Sequence, residues 1–168
     1  MSKTLIYALK NGKEEIHIGE ASNAFRSGMY VWNDMAKRYF GLKSFPLFNP
    51  TMQNKIWNAG DHYPLTDSEK IVLASAMDKA TVKKENIQKA VDAFKEYGKE
   101  HPNSSFLEQA DILLAFNDMS DKDSAYDGYV LGWVQTNVCD GLWNKEVDGE
   151  VVADLSGTFD IIDNVLNE

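Results

Sequence analysis

The chain has 168 residues, 43% of them hydrophobic and 26% charged, which is typical of one globular domain and excludes long disordered segments. The formal net charge is −9, and an acidic surface disfavours direct binding to the phosphates of nucleic acids. The single cysteine, Cys139, excludes an internal disulfide, and no apolar run approaches the ~20 residues of a membrane span, so we expect a reduced, cytoplasmic protein without a membrane segment.

The N-terminus has the pattern of a β-hairpin. Residues 4–9 are apolar and partly β-branched, and residues 15–18 alternate polar and apolar side chains. Asn11-Gly12 between them is typical of a type I′ turn, which requires a positive φ at both central residues. Because an isolated hairpin is only marginally stable in water, we expect this one to pack on a helix or to gain a third strand.

A helix is predicted from residue 23 to residue 40, with Ser22 as its N-cap and Gly41 as the left-handed residue after its end. Apolar residues recur along one face of it, namely Phe25, Met29, Trp32, Ala36 and Tyr39. Prolines interrupt the irregular stretch that follows. Within it a short helix is predicted at residues 52–58, with Thr51 as its cap.

Three further helices are predicted in the middle of the chain. Thr66 and Glu69 form the capping-box pattern that opens the first of them. The second is predicted at residues 83–97, and the third opens with the same capping-box pattern at Ser105 and Glu108. Short turns between consecutive helices predict neighbours that pack roughly antiparallel.

The last third of the chain contains one more predicted helix and a second hairpin. Apolar residues between positions 126 and 138 recur at intervals of three and four, which favours a helix. Asp148-Gly149 is a hairpin signal, and one of its strands is a candidate third strand for the N-terminal hairpin. A short helix is expected at residues 160–166. The patterns together predict an α+β fold, a predominantly helical single domain over residues 1–168 with a small antiparallel sheet.

Metal and cofactor sites lack their usual sequence signals. The three histidines, His17, His62 and His101, lie far apart, and no pair of Cys or His residues has the spacing of zinc ligands. An aspartate-rich stretch has part of a calcium-loop pattern, but with Asp121 at position 1 the position of the bidentate glutamate is Gly132. The sequence also lacks a glycine-rich phosphate loop, so we predict neither a metal nor a cofactor.

One loop combines residue types that occur in active sites. Trp57 and Tyr63 offer stacking surfaces, and Asp61 and His62 place a carboxylate next to an imidazole in the sequence. If the side chains of Asp61 and His62 converge on a concave surface, the loop is a candidate site for a small enzyme. The alternative is a loop that its two aromatic residues pin to the core.

Acidic residues are concentrated toward the C-terminus. Residues 1–107 carry 15 Lys/Arg and 12 Asp/Glu, a balance of 15 − 12 = +3. Residues 108–168 carry two Lys and 14 Asp/Glu, a balance of 2 − 14 = −12. Such a segment attracts a basic partner and speeds the encounter with it. Four aspartates of this segment are close enough in the sequence to form one patch: Asp118, Asp121, Asp123 and Asp127.

Three hypotheses about function follow. The clustered charge favours an acidic protein-binding or inhibitor module, such as a nucleic-acid mimic or an immunity-type protein, that engages a basic protein through residues 108–168. The second hypothesis is a small enzyme with its site in the loop from Trp57 to Tyr63. The third is a structural or regulatory subunit that associates with itself. The simplest alternative to all three is an acidic surface that only keeps the protein in solution.

Overall fold

Five α-helices and seven strands make up the part of the chain that a computed structural model describes, which comprises residues 2–10, 13–22, 26–76, 80–119, 128–135, 144–153, 159–160 and 162. The helices are α1 (Gly28–Phe40), α2 (Pro50–Trp57), α3 (Asp67–Ser75), α4 (Ile87–Glu100) and α5 (Phe106–Met119). The strands are β1 (Ser2–Lys10), β2 (Lys13–Ser22), β3 (Ala80–Lys83), β4 (Gly128–Gln135), β5 (Asn144–Val147), β6 (Glu150–Ala153) and β7 (Phe159–Asp160). The predicted α+β class is confirmed.

Five of the strands form one sheet in the order β2-β1-β4-β3-β7. β1 and β2 are the predicted N-terminal hairpin, antiparallel, with register shifts after Ile6 and after Ala8. The third strand beside this hairpin is β4, which runs antiparallel to β1, so the expectation that the C-terminal hairpin supplies it is wrong. β3 continues the sheet antiparallel to β4, and β7 pairs with β3 in parallel.

β4 occupies the place of the helix that was predicted between residues 126 and 138, and that prediction is wrong. Five of the eight residues of this strand are apolar, and intervals of two, three and four residues all occur among them. The helical interval therefore does not distinguish a helix from a strand here. Val130 and Val134 are β-branched, and Gly132 weakens a helix, which together favour the strand.

The C-terminal hairpin is confirmed as a two-stranded sheet of β5 and β6. Asp148 and Gly149 at its turn have φ of 51° and 83°, the positive values that a type I′ turn requires. Asp160 lies in β7 instead of the predicted short helix. Of the residues after it, only Ile162 is described, and its side chain is buried.

Helix α1 begins later than predicted because Ser22, the expected N-cap, belongs to β2. Gly41 ends α1 as predicted, with φ 67°. The predicted cap of α2 is also wrong. The side chain of Asn49, not that of Thr51, accepts the backbone N–H of Met52 at 3.1 Å.

The capping box that opens α3 is confirmed. The Thr66 side chain accepts from the Glu69 backbone, and the Glu69 side chain accepts from the Thr66 backbone. α4 begins at Ile87, after a short 3₁₀ turn that occupies the start of the predicted helix. α5 begins at Phe106, close to its predicted start.

Side chains from β1, β3 and all five helices meet in one buried core, which includes Ile6, Val31, Ile56, Val72, Val82, Phe94 and Leu113. Two glycines allow α5 to approach its neighbours closely. A Cβ on Gly98 of α4 would lie 2.7 Å from the side chain of Leu107, and a Cβ on Gly19 of β2 would lie 2.7 Å from that of Ile112. The contact at Gly98 requires glycine, because the backbone nitrogen of Leu107 would also lie 2.9 Å from that Cβ, whereas at Gly19 the Ile112 side chain would have to shift.

Candidate functional site

A groove of about 650 Å³ lies beside α5, between this helix and β2. Its lining combines half-buried aliphatic side chains with charged side chains at the surface. We call it the acidic groove and define it by Ile18, Arg26, Pro102, Ser104, Leu107, Glu108, Asp111, Ile112 and Ala115. Because α5 buries Phe106, Ala110 and Leu113 in the core, its opposite side remains to line the groove.

The start of α5 is fixed by buried polar contacts next to the acidic groove. The Ser105 backbone N–H donates to the Arg26 carbonyl at 2.7 Å. The side-chain amide of Gln109, which is 1% exposed, donates to Ser105 Oγ at 2.9 Å and to Ser27 Oγ at 3.3 Å. Buried polar groups that are paired in this way hold one geometry, so the groove is a preformed feature of the fold.

The charges of the acidic groove are mostly carboxylates that face solvent. Glu108 lies 3.7 Å from Arg26, and both side chains are about half exposed. Such an exposed ion pair contributes little and exchanges partners readily. Asp111 is exposed and makes no ion pair with any residue that the structure describes. The groove thus presents carboxylates beside apolar surface.

The predicted acidic patch begins at the end of the same helix. Asp118 lies in the last turn of α5, ten residues after Glu108 and seven after Asp111. Seven residues are close to two helical turns and ten fall about 80° short of three, so the three backbone positions lie within about a quarter of the helix circumference. Asp121, Asp123 and Asp127 lie outside the described residues, and their role in a patch stays a prediction.

A second cluster of polar side chains joins α1 to α3 and α4. We call it the polar network, which consists of Tyr30, Asp34, Arg38, Tyr39, Glu69, Tyr97 and His101. Arg38 donates to Glu69 Oε2 at 3.0 Å and to both carboxylate oxygens of Asp34 at 3.1 Å. Tyr39 donates to the same Glu69 oxygen at 2.7 Å. Tyr97 donates to Asp34 Oδ2 at 2.7 Å.

His101 takes part in the polar network through both nitrogens of its ring. A guanidinium N–H can only donate, so His101 Nε2, 2.8 Å from Arg38 Nη2, accepts. Nδ1 then carries the proton and donates it to the Tyr30 hydroxyl at 3.0 Å. The ring also stacks on Tyr97, with the two centroids 4.2 Å apart. His101 therefore links α1 to the end of α4.

The titration of the polar network reflects these bonds. Burial raises the pKa of Glu69, but hydrogen bonds from Thr66 and Tyr39 and the charge of Arg38 outweigh it, so this pKa lies below its ordinary value. Burial, followed by the charge of Asp34, raises the pKa of Tyr97. The carboxylates of Glu69 and Asp34 are both bound by partners within the protein, which favours a structural role for the cluster.

A smaller cleft of about 400 Å³ opens next to the polar network and is lined by Tyr30, Asn33, Asp34 and Lys37. Its carboxylate, that of Asp34, already accepts from Arg38 and Tyr97. Asn33 Oδ1 accepts the backbone N–H of Phe45 at 2.8 Å. The cleft therefore has fewer uncommitted polar groups than the acidic groove.

The structure places the predicted loop site on the surface of the helical part. The side chains of Asp61 and His62 are exposed, neither makes a side-chain hydrogen bond within the described part of the chain, and neither lines the acidic groove or the smaller cleft. The His62 ring lies edge-on to Phe40, with ring centroids 6.5 Å apart. Tyr63 packs on Tyr39 and Phe40 of α1. The hypothesis of an enzyme site here stays a prediction without added support.

Trp57, the remaining residue of the predicted loop site, packs against Trp32 and Phe45, with ring centroids 5.7 Å away in both cases. Its Nε1 atom is buried and has no hydrogen-bond partner in the described structure. Trp57 and Tyr63 therefore pin the loop at both ends, as the alternative interpretation of the loop expects.

The described residues contain no cluster of three or more His, Cys, Asp or Glu side chains that could hold a metal ion. Among the same residues, no helix is long and apolar enough to cross a membrane. Cys139 lies outside them. The structure therefore adds no candidate metal ligand to those considered from the sequence.

The sequence did not reveal the acidic groove or the polar network. Asp34 and Arg38 stand four residues apart in α1, a visible pairing signal, and the capping box marked Glu69. The approach of α3 and α4 to α1 depends on tertiary packing, which no local pattern encodes. The groove depends likewise on the close contact of Gly19 with α5.

The chain was compared with known proteins at three levels. No protein-family model matches it, and no characterised protein and no solved structure is significantly similar to it. Conclusions about its function therefore rest on its own residues and geometry.

Proposed function

We propose that this protein is a binding module whose acidic groove engages a basic, partly apolar segment of a protein partner. The observation that carries the proposal is the exposed pair Glu108 and Asp111 at the rim of a preformed apolar groove. Apolar surface supplies affinity, and carboxylates select a cationic partner and raise the rate of encounter.

The floor of the acidic groove suits aliphatic or aromatic side chains of the partner. Ile18, Leu107 and Ile112 are half-buried there and expose apolar surface to solvent. Covering one such side chain contributes about 1–2 kcal/mol, since burial of apolar area yields roughly 25 cal/mol per Å². Several together support a specific contact.

The charge around the groove supports a basic partner. Residues 108–168 have a balance of −12, and the groove includes the first two acidic residues of this segment. Nucleic-acid phosphates would be repelled, so the partner is a protein and not a nucleic acid. By occupying the basic surface of that partner, the module would act as an inhibitor. The lone cysteine still favours a cytoplasmic location for this activity.

A peptide titration tests the proposal. The probe is a synthetic amphipathic helix with leucines on one face and lysines on the other, compared with a glutamate-for-lysine version. We expect the lysine peptide to shift the methyl NMR signals of Ile18, Leu107 and Ile112, and its affinity to fall as salt is added. Ala115→Trp, which fills the exposed side of the groove, should weaken binding. Equal binding of the glutamate peptide would refute the proposal.

The charge dependence has a matched control. Glu108→Gln combined with Asp111→Asn should weaken the lysine peptide about tenfold at low salt. Glu85→Gln combined with Glu96→Gln removes the same charge from exposed positions outside the groove and should have a much smaller effect. If both double variants weaken binding equally, the attraction is due to net charge alone and the groove is not the site.

A further inference from the structure

The loop between α1 and α2 exposes two large apolar side chains. Leu47 is 64% exposed and Phe48 is 96% exposed, and they are the exposed large hydrophobic residues of the described part of the chain. An exposed phenylalanine with a leucine beside it forms a compact apolar projection, which we call the apolar tip (Leu47 and Phe48). Large aromatic side chains of this kind are typical anchors of protein interfaces.

The residues just before the apolar tip are fixed to the helical part of the protein. Phe45 is buried against Trp32 and Trp57, and its backbone N–H donates to Asn33 Oδ1 at 2.8 Å. The Gln53 side chain donates to the carbonyl of Pro46 at 2.8 Å. The loop is thus fastened immediately before the tip, so little conformational freedom is lost when Leu47 and Phe48 are covered.

Basic residues flank the apolar tip. Residues 35–60 contain no Asp or Glu and four basic residues, of which Arg38 is bound to Asp34 and Glu69 in the polar network. Lys43 and Lys55 are exposed and make no ion pair among the residues that the structure describes. The tip therefore combines an apolar projection with positive charge, and the acidic groove combines an apolar recess with negative charge.

We propose that the apolar tip of one copy of this protein docks in the acidic groove of a second copy. In this contact Phe48 and Leu47 cover the aliphatic floor formed by Ile18, Leu107 and Ile112. Lys43 and Lys55 approach the carboxylates of Glu108 and Asp111. The contact thus pairs the exposed apolar side chains and lysines at the tip with the aliphatic side chains and carboxylates of the groove.

A second copy suits the apolar tip better than a lipid surface does. Anionic lipids would attract Lys43 and Lys55, but they would repel the remainder of a chain whose net charge is −9. The acidic groove offers the same attraction together with an apolar recess. The contact joins two different surfaces of the protein. If the tip of each copy docks in the groove of the other, the assembly closes as a dimer; otherwise copies add head to tail into a chain.

This inference rests on the proposed function of the groove and adds a form of regulation to it. The tip is itself a basic, partly apolar segment of the class that the groove is proposed to bind. Self-association and partner binding are therefore mutually exclusive at one groove. Binding of a partner therefore dissociates the self-associated protein. A high concentration of the protein reduces partner binding, because the tips of other copies occupy the grooves by mass action.

Sedimentation velocity over a concentration series tests the contact. The wild-type protein should associate at low salt and dissociate as salt is added. Phe48→Asp, at the tip, and the double variant Glu108→Lys with Asp111→Lys, at the groove, should each remain monomeric. All these positions are exposed, so folding should survive, and circular dichroism checks it. Glu85→Lys with Glu96→Lys, at exposed positions outside the groove, makes the same change of net charge as the groove double variant and should associate like the wild type.

A mixture of the two defective proteins gives the decisive result. The tip variant keeps an intact groove, and the groove variant keeps an intact tip, so together they should form a one-to-one complex although neither associates alone. Lys43→Glu with Lys55→Glu should likewise associate with the groove double variant, because the charges are exchanged. A wild-type protein that stays monomeric at all concentrations, or a mixture that shows no complex, would overturn the inference.

The lysine-peptide titration separates this inference from the proposed function. Peptide binding at the groove without self-association refutes the docking of the tip and leaves the binding module standing. The opposite result is self-association that the tip and groove variants abolish, without binding of the lysine peptide. It supports docking of the tip and refutes a general preference of the groove for basic segments. Absence of both results refutes both proposals.

Discussion

The polar network and the acidic groove both place carboxylates at the surface of helices, but they use them in opposite ways. In the network, Glu69 and Asp34 accept bonds from Arg38, Tyr39 and Tyr97 at 2.7–3.1 Å. In the groove, Asp111 has no ion pair within the described structure, and Glu108 has one at 3.7 Å. The carboxylates of the polar network therefore have their hydrogen-bond donors and counter-charge within the chain. The carboxylates of the acidic groove remain accessible to the positive charges of another molecule.

The difference indicates how to separate stabilising charges from binding charges in this molecule. A carboxylate that is buried and bonded stabilises the fold, because removal of its partner leaves a charge without solvent or counter-ion. A carboxylate that is exposed beside apolar surface contributes little to folding and remains available to a partner. Substitutions in the network should therefore change stability, and those in the groove should change association.

The largest effect is expected for Arg38→Met, which keeps the apolar stem of the side chain and removes its charge. Glu69, whose side chain is 6% exposed, then loses its cationic partner, and we expect a loss of about 2 kcal/mol in the free energy of unfolding. Urea unfolding measures this. Lys37→Met, the exposed neighbour on α1, is the control and should change stability by less than about 0.5 kcal/mol. Equal losses in the two variants would contradict a stabilising role for the network.

A smaller effect is expected for Tyr97→Phe, which removes one hydroxyl from the buried end of the network. Asp34 keeps its bonds from Arg38 but loses the 2.7 Å bond from Tyr97, so we expect a loss of about 1 kcal/mol. Tyr63→Phe is the matched control, because the Tyr63 hydroxyl makes no hydrogen bond in the described structure. Tyr97→Phe with unchanged stability would mean that water replaces the hydroxyl without loss.

The smallest effect concerns pH. The pKa of Glu69 is lower in the folded state than its ordinary value of 4.5, so this residue stabilises the fold above that pH. Its contribution is lost as the pH falls from about 4.5 through the lower folded-state pKa, because the protonated side chain gives up its ionic bonds. Glu69→Gln should remove this part of the acid dependence in unfolding curves, and Asp111→Asn should leave it intact. If Asp111→Asn removed this acid dependence and Glu69→Gln left it intact, Asp111 and not Glu69 would be the carboxylate that stabilises the fold.

Local patterns predicted most of the elements of the fold. The Asp148-Gly149 turn and the Thr66–Glu69 capping box are short-range structures, since each depends on residues within a few positions of one another. The α+β class followed from such signals. The strand at Gly128–Gln135 was predicted as a helix because its apolar residues also recur at helical intervals, and its pairing with β1 and β3 adds to the local preference for a strand.

The candidate site was much less predictable than the fold. The acidic segment of residues 108–168 begins with Glu108 and Asp111, which are the two carboxylates of the groove, but the sequence did not single them out. The apolar floor, however, is brought together from β2 and α5, which are distant in sequence. The exposure of Phe48 could not be predicted either. The prolines on either side of it indicate a loop, but a phenylalanine in a loop can be buried or exposed.

Glu69 has a consequence for the order in which the chain folds. Its carboxylate is positioned by Thr66, three residues away, before any distant part of the chain is needed. Its other partner, Arg38, precedes it by 31 residues. During synthesis Arg38 therefore leaves the ribosome 31 residues ahead of Glu69, so the ion pair that joins α1 to α3 can form only after α3 has been made.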